Sequence, residues 1–137
     1  MEPTRVLFLC THNSARSQIA EGLLRTLGGD RFVAYSAGTE ATSVRPLAIR
    51  AMAELGIDIA QQYSKRLDRY LDERFDAVIT VCDEANEACP VFFGARRRLH
   101  WSFPDPAKVA GTEDQQLEAY RQVRDALRAR IEAELLP

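Results

Sequence analysis

The chain has 137 residues, 46% of them hydrophobic, and its 20 acidic and 18 basic residues give a formal net charge of −2. This length and composition predict a single globular domain over residues 1–137. The small net charge gives no reason to expect binding to nucleic acid or to a membrane. The first apolar run is too short for a signal-peptide core or a membrane span, so we expect a cytoplasmic protein. Its three cysteines, an odd number, indicate chemistry or burial and not a disulfide framework.

Apolar runs that end at polar turns alternate with amphipathic helical segments along the chain. The predicted strands are 6–9, 32–37, 77–81 and 99–101. The predicted helices are 19–27, 46–55, a weaker segment at 67–71, and a long C-terminal helix that starts at a capping box of Thr112 and Gln115. The basic run 96–98 is interpreted as a solvated edge or loop. This order predicts an α/β fold of three layers, with a central four-stranded parallel sheet flanked by helices.

Residues 10–17 have the composition of an anion-binding loop. They lie between a strand and a helix, where backbone N–H groups and the positive end of a helix dipole meet. Cys10 and Arg16 lie at the two ends of the loop. This setting favours the thiolate form of Cys10, and the planar Arg16 side chain suits a tetrahedral oxyanion. The residues expected to bind the oxyanion are Thr11, His12, Asn13, Ser14, Ala15, Arg16 and Ser17. A buried structural cysteine is the alternative interpretation of Cys10.

Three residues with reactive side chains follow apolar runs in the same way. Cys10 ends the first predicted strand, Cys82 ends the third, and Asp105 lies a few residues beyond the fourth. Ligands of parallel sheets bind beyond the carboxyl ends of the strands. We therefore expect a nucleophile, a second thiol and a carboxylic acid to meet at one edge of the sheet.

Three stretches of the chain carry a resemblance to a known family. Residues 10–22, CTHNSARSQIAEG, resemble the signature of the low-molecular-weight tyrosine phosphatases, and within that family the branch of thioredoxin-coupled arsenate reductases. The stretches 81–90 and 101–106 are similar to the same branch. Gln18 and Ala107 stand where the phosphatases usually have a proline and an aromatic residue. The resemblance spans nearly the whole chain and implies a phosphatase-like fold with flavodoxin-like topology.

The resemblance implies that the chain reduces arsenate to arsenite by a relay of three cysteines. Cys10 attacks arsenate while Asp105 protonates the departing oxygen. Cys82 then attacks the Cys10 sulfur, which forms a transient Cys10–Cys82 disulfide and releases arsenite. Cys89 attacks Cys82 and leaves a final Cys82–Cys89 disulfide for thioredoxin to reduce. The alternative is a tyrosine phosphatase that hydrolyses phosphate monoesters through a phosphoryl intermediate on Cys10, and this activity needs only Cys10, Arg16 and Asp105.

Supporting roles are expected for several polar residues. Ser17 is placed to donate a hydrogen bond to the Cys10 thiolate, and Asn13 tolerates the positive φ that shapes such a loop. We expect His12 to line the mouth of the loop and His100 to be structural. Oxyanion and thioredoxin are the expected partners, and we expect a monomer.

No metal or organic cofactor is expected. The six-residue gap between Cys82 and Cys89 is not the usual spacing of zinc ligands, which argues against a zinc site built from Cys10, Cys82, Cys89 and a histidine. Some relatives have a potassium site whose residues match Asn13, Glu21 and Ser36 plus an acidic residue. Lys65 stands at the acidic position here, and its ammonium could pair with Glu21 and repel the ion.

The segment 83–89 favours a short helix, with Asp83 as its N-cap. An intact helix would hold the Cα atoms of Cys82 and Cys89 about 10.5 Å apart, too far for a disulfide, which needs about 7 Å or less. The sequence therefore predicts a redox switch in which this segment unwinds when the disulfide forms.

Overall fold

The computed structural model describes residues 2–83 and 87–137. Within these residues the strands are β1 (Thr4–Cys10), β2 (Phe32–Gly38), β3 (Phe75–Thr80) and β4 (Ala95–His100). The α-helices are α1 (Arg16–Gly28), α2 (Pro46–Ala53) and α3 (Glu113–Glu134), and short 3-10 turns cover Gly29–Arg31, Leu67–Tyr70 and Pro106–Lys108. The strands form one parallel sheet in the order β2-β1-β3-β4. The predicted α/β fold with a four-stranded parallel sheet is confirmed.

The central position of β1 follows from its composition, because an apolar run without polar interruption can be buried on both faces of a sheet. Side chains alternate between the faces along a strand. Val6 and Phe8 join the larger core, which α1, α2 and α3 cover. Leu7 and Leu9 join a smaller core on the other face, together with Tyr70 from the 3-10 turn Leu67–Tyr70.

The long C-terminal helix α3 starts where the sequence predicts it. The Thr112 side chain accepts a hydrogen bond from the Gln115 N–H, and the Gln115 side chain accepts one from the Thr112 N–H. These two bonds satisfy donors that a helix start leaves unpaired. The expected apolar face of α3 is buried; it consists of Leu117, Tyr120, Val123, Leu127 and Ile131. None of the helices among the described residues is long and apolar enough to cross a membrane.

The largest differences between the predicted and the observed elements are at two places. Strand β4 begins at Ala95, four residues before the predicted start, because the arginines 96–98 are exposed on the edge strand and give no apolar alternation. The interpretation of this basic run as a solvated edge is therefore confirmed. The weaker helical segment near residue 67 is a 3-10 turn, Leu67–Tyr70, and not an α-helix.

Candidate active site

The loop between β1 and α1 is anchored by hydrogen bonds that its carbonyl groups accept from residues outside the loop. The Thr11 carbonyl accepts a hydrogen bond from the Glu40 N–H at 3.0 Å, and the Ser14 carbonyl accepts one from the Arg45 N–H at 2.9 Å. Asn13 has a φ of 49°, in the left-handed region that asparagine tolerates. Gly38, the last residue of β2, lies against the loop backbone, where a Cβ atom would be 2.6 Å from the Thr11 carbonyl oxygen. The loop shape therefore depends on the residue types at two positions, one of them outside the loop.

A chain of hydrogen bonds positions the Ser17 hydroxyl next to the Cys10 sulfur. The Asn13 side-chain oxygen accepts two bonds of 2.8 Å, from the Lys65 N–H and from Nε2 of Gln18. The Asn13 amide nitrogen is thereby turned to donate to Ser17 Oγ at 2.7 Å. Ser17 Oγ lies 2.8 Å from Cys10 Sγ, and either atom can be the donor. Once Cys10 is a thiolate it can only accept, and the Ser17 hydroxyl then donates to it. A hydrogen bond to the charged form of a group stabilises that form, so the Ser17 hydroxyl is placed to stabilise the nucleophile during its attack.

The Arg16 guanidinium is buried and is held by a carboxylate of the chain itself. Nη1 of Arg16 donates to Oε1 of Glu87 and Nη2 donates to Oε2 at 3.1 Å. Thr11 Oγ1 donates to Oε2 of Glu87 at 3.2 Å. Nη1 also donates to the Phe103 carbonyl at 3.1 Å, and Nη2 lies 3.7 Å from Oδ2 of Asp105. The side chains of Arg16, Glu87 and Asp105 are only 3%, 9% and 11% exposed. The two carboxylates and the guanidinium therefore form one buried charge cluster beside the loop.

Burial and the neighbouring charges shift the pKa values of Glu87 and Arg16 in opposite directions. Burial alone would raise the pKa of Glu87, but hydrogen bonds from Arg16 and from the Asp83 N–H outweigh it and lower the pKa. Burial alone would lower the pKa of Arg16, but Glu87, Cys10 and Asp105 together raise it. Glu87 and Arg16 are thus both held in their charged forms.

Two of the cysteines are joined and one is free. The Val81 N–H donates to the Leu9 carbonyl at 2.8 Å, which places Cys82 next to the end of β1 and so next to Cys10. Cys82 forms a disulfide with Cys89, with Cα atoms 6.1 Å apart, and Cys10 is a buried free thiol. This is the pair that the family resemblance implies as the final disulfide. The predicted short helix over 83–89 lies partly outside the described residues, because these exclude 84–86.

The two histidines lie at different places near the loop. His12 is at the loop mouth, where its Nδ1 is 3.0 Å from Glu40 and its side chain is 39% exposed. His100, the last residue of β4, has Nδ1 2.6 Å from Thr80 Oγ1. A ring nitrogen of His100 lies within 4.8 Å of the sulfurs of Cys82 and Cys89. Those sulfurs are bonded to each other and not free thiolates, so this form does not present the donors that zinc prefers.

Glu21, one of the residues matching the potassium site of some relatives, lies next to the Lys65 ammonium group. Lys65 Nζ lies 3.6 Å from Glu21 Oε1 and donates to the Tyr63 carbonyl at 2.7 Å. Ser36 Oγ donates to the same Glu21 oxygen at 2.5 Å. A buried positive charge beside Glu21 does not fit a site for a second cation. Independence from potassium stays a prediction.

Glu87 is a site residue that the sequence pattern does not indicate. From the sequence, its position is interpreted only as part of a helix-favouring segment between two cysteines. The available signal is a carboxylate close in sequence to Cys82, which is itself expected beside the arginine of the loop. Nothing in the local pattern distinguishes Glu87 from Glu84 as the partner of Arg16.

Comparisons with known proteins agree with this geometry. The model of a family described as low molecular weight phosphotyrosine protein phosphatase matches residues 5–135. An arsenate reductase of Halalkalibacterium halodurans is 45% identical over 126 residues, which cover 92% of this chain and 91% of that protein. An arsenate reductase solved in an oxidised state has a TM-score of 0.81 at 33% identity and covers 99% of this chain and 98% of its own. A thioredoxin-dependent arsenate reductase of Corynebacterium glutamicum has a TM-score of 0.67 at 27% identity, and the match covers 98% of this chain and 63% of that one.

Proposed function

The chain belongs to the low-molecular-weight phosphotyrosine protein phosphatase family, and on this premise we propose that it is an arsenate reductase. It reduces arsenate to arsenite through a relay that starts at Cys10. The observation that carries this function is the Cys82–Cys89 disulfide beside a free Cys10. A phosphatase of this family needs the nucleophile, the loop and an acid, whereas a pair of cysteines that closes a disulfide next to them serves electron transfer.

The first step forms a bond between Cys10 and arsenic. The loop and Arg16 hold arsenate, and Ser17 stabilises the attacking thiolate through the hydrogen bond described above. Asp105 protonates the departing oxygen, which leaves as water. The position of Asp105 supports this role, because its carboxylate is 3.7 Å from the guanidinium that would hold the substrate.

The second and third steps move two electrons. The Cys82 thiolate attacks the Cys10 sulfur, and the electron pair of the sulfur–arsenic bond stays with arsenic, which leaves as arsenite. Cys89 then attacks Cys82, so that Cys10 regains its thiolate and the Cys82–Cys89 disulfide forms. One arsenate is thereby reduced by the two thiols of Cys82 and Cys89. Thioredoxin supplies the next pair of electrons by reducing the disulfide.

The remaining parts of the proposal concern the setting of the enzyme. One sheet supports both apolar cores, in support of a single domain over residues 1–137. A cycle that starts from three thiols requires a reducing compartment, in support of a cytoplasmic enzyme with thioredoxin as its donor. We also infer that it acts as a monomer.

The function is tested by measuring arsenite formed from arsenate with thioredoxin, thioredoxin reductase and NADPH, against the same mixture without thioredoxin. Sustained turnover is expected only with thioredoxin. Cys10→Ser should abolish arsenite formation and any hydrolysis of an aryl phosphate, because the nucleophile serves both reactions. Cys82→Ser and Cys89→Ser should stop multiple turnover of arsenate and spare the hydrolysis. Hydrolysis as the main activity, with no arsenite produced, would make the chain a phosphatase.

A further inference from the structure

Glu87 has the surroundings of a bound oxyanion. Its two carboxylate oxygens accept hydrogen bonds from both terminal nitrogens of Arg16, from the Thr11 hydroxyl and, at 2.6 Å, from the Asp83 N–H. A guanidinium fork, a hydroxyl and a backbone N–H are the donors that a tetrahedral oxyanion also needs. The carboxylate is nearly buried and fully satisfied by these donors, so it is a built part of the site and not a passing surface contact.

An arsenate ion and Glu87 cannot use Arg16 in the same way at the same time. A bidentate pair takes up both terminal nitrogens of the guanidinium. The side chain of Arg16 is 3% exposed and is also bonded to the Phe103 carbonyl, which leaves it little freedom to turn toward a second anion. Glu87 therefore competes with an oxyanion for Arg16: the oxyanion either displaces this carboxylate from the two terminal nitrogens or binds next to its negative charge, which weakens binding.

The place of Glu87 is linked to the disulfide. Glu87 lies within the ring of residues 82–89 that the Cys82–Cys89 bond closes. Inside this ring the Glu87 N–H donates to the Asp83 carbonyl at 2.9 Å, and the Asp83 N–H donates back to the Glu87 side chain. Closing a ring removes conformations that its residues could otherwise adopt, which raises the effective concentration of the carboxylate at Arg16. Reduction of the bond removes that restriction.

We propose that Glu87 is a further functional residue of the reductase cycle, a positioning residue that occupies Arg16 in the disulfide form and releases it when the disulfide is reduced. This inference rests on the proposed function for its place in the cycle. Its use follows from the state of the cysteines: Cys10 is a free thiol in the disulfide form, but Cys82 and Cys89 have no electrons to give. Arsenate that reacted with Cys10 at this stage could not be reduced, and Glu87 keeps it out.

The test measures the affinity for inorganic phosphate by isothermal titration calorimetry in the disulfide form and in the dithiol form. Phosphate needs the loop and Arg16 but no electrons. In the unaltered chain the Kd for phosphate should be about tenfold higher or more in the disulfide form. This is the loss of affinity expected when phosphate must compete with a charge-assisted bidentate pair. Glu87→Gln keeps the shape but removes the charge, and should bring the two Kd values within about twofold of each other by tightening the disulfide form alone.

Glu132→Gln is the matched control, since it removes one negative charge from an exposed part of α3. It should leave the difference between the redox forms unchanged. Equal phosphate affinity in the two forms of the unaltered chain would overturn the proposal. So would a difference that survives in Glu87→Gln, or one that Glu132→Gln also removes.

A second measurement uses only the unaltered chain and so does not depend on any variant folding. Coupling between two equilibria is reciprocal, so phosphate must favour the dithiol by the same factor by which the disulfide weakens phosphate. In a dithiothreitol redox buffer, saturating phosphate should shift the Cys82–Cys89 equilibrium toward the dithiol by about tenfold. No shift would refute the coupling. Neither measurement uses arsenate, so a failure to form arsenite would remove the proposed function alone.

Discussion

Replacement of Gly38 by alanine tests whether the oxyanion loop depends on its close contact with β2. A Cβ atom at this position would lie 2.6 Å from the Thr11 carbonyl oxygen, 2.9 Å from the Asn13 nitrogen and 3.0 Å from the Cys10 carbonyl oxygen. Ordinary contact begins at 3.4 Å, so the nearest atom must retreat by 0.8 Å. All three neighbours are backbone atoms of the loop and cannot rotate away. The loop must move as a unit, or separate from β2.

The effect on activity follows from that displacement. A shift of about 1 Å in a catalytic group can cost about 10²-fold in rate, so we expect kcat/KM for thioredoxin-coupled arsenate reduction to fall about 10- to 100-fold in Gly38→Ala. Overpacking of this kind also costs about 1–3 kcal/mol of unfolding free energy. Activity is measured by coupled NADPH oxidation, and stability by urea denaturation. Phosphate titration of the dithiol form measures directly whether the loop still binds an oxyanion.

Gly29→Ala is the control, because it should lower the unfolding free energy at a position that does not contact the loop. Gly29 has a φ of +54°, and a Cβ atom added there would have no neighbour within 4 Å. Alanine at this position therefore meets backbone strain of about 1–2 kcal/mol without steric contact. This variant should be destabilised to a similar extent and keep its kcat/KM. A folded Gly38→Ala protein with unaltered kcat/KM and phosphate affinity would refute the reasoning.

Three further changes separate catalysis, electrostatics and folding. Asp105→Asn can still accept the bond from the Ala107 N–H, which is 2.9 Å long in the unaltered chain, so phosphate should bind while single-turnover formation of the Cys10 adduct slows by about 10²- to 10⁴-fold; lost binding would mark Asp105 as structural. Burial lowers the pKa of Lys65 and the Glu21 carboxylate offsets only part of this, so above the depressed pKa and up to about 10.5 the unfolded chain binds more protons and stability rises with pH. Lys65→Met should lose that rise in urea titrations at successive pH values, and a parallel pH profile in both proteins would contradict the assignment. Thr112→Ala removes the N-cap of α3 and should lower the unfolding free energy by about 1 kcal/mol in urea denaturation, with activity unchanged. An unchanged unfolding free energy would show that the capping box does not contribute to stability.

The sheet and its order of elements are predictable because they depend on local patterns. The run 6–9 is apolar at every position, as a central strand requires, and Thr112 with Gln115 marks a helix start by residue type alone. The predicted start of β4 is too late because an edge strand need not carry an apolar pattern, and arginines 96–98 give none. Its position is set by pairing with β3, which is a long-range contact.

In the candidate site too, local sequence patterns indicate some residues, whereas others are brought together only by long-range contacts. The loop residues can be named from the sequence, because a strand, a polar turn and a helix are adjacent there. The Arg16–Glu87 pair cannot, since its partners are 71 residues apart and meet only through the tertiary fold. The contact between Gly38 and the loop is also invisible in the sequence, where that glycine indicates only the end of a strand.

The arginines of β4 have a consequence for how copies of this chain meet one another. A parallel sheet that is open at its edge offers unpaired N–H and C=O groups to any other exposed strand, which is the usual route to aggregation. Here the exposed edge strand carries three consecutive guanidinium groups. A second copy that approached with the same edge would bring like charges together at the usual spacing of strands in a sheet, about 5 Å. The repulsion is strongest at low ionic strength and is screened within about 10 Å at 0.1 M salt, so we expect self-association through β4 to become easier as the salt concentration rises.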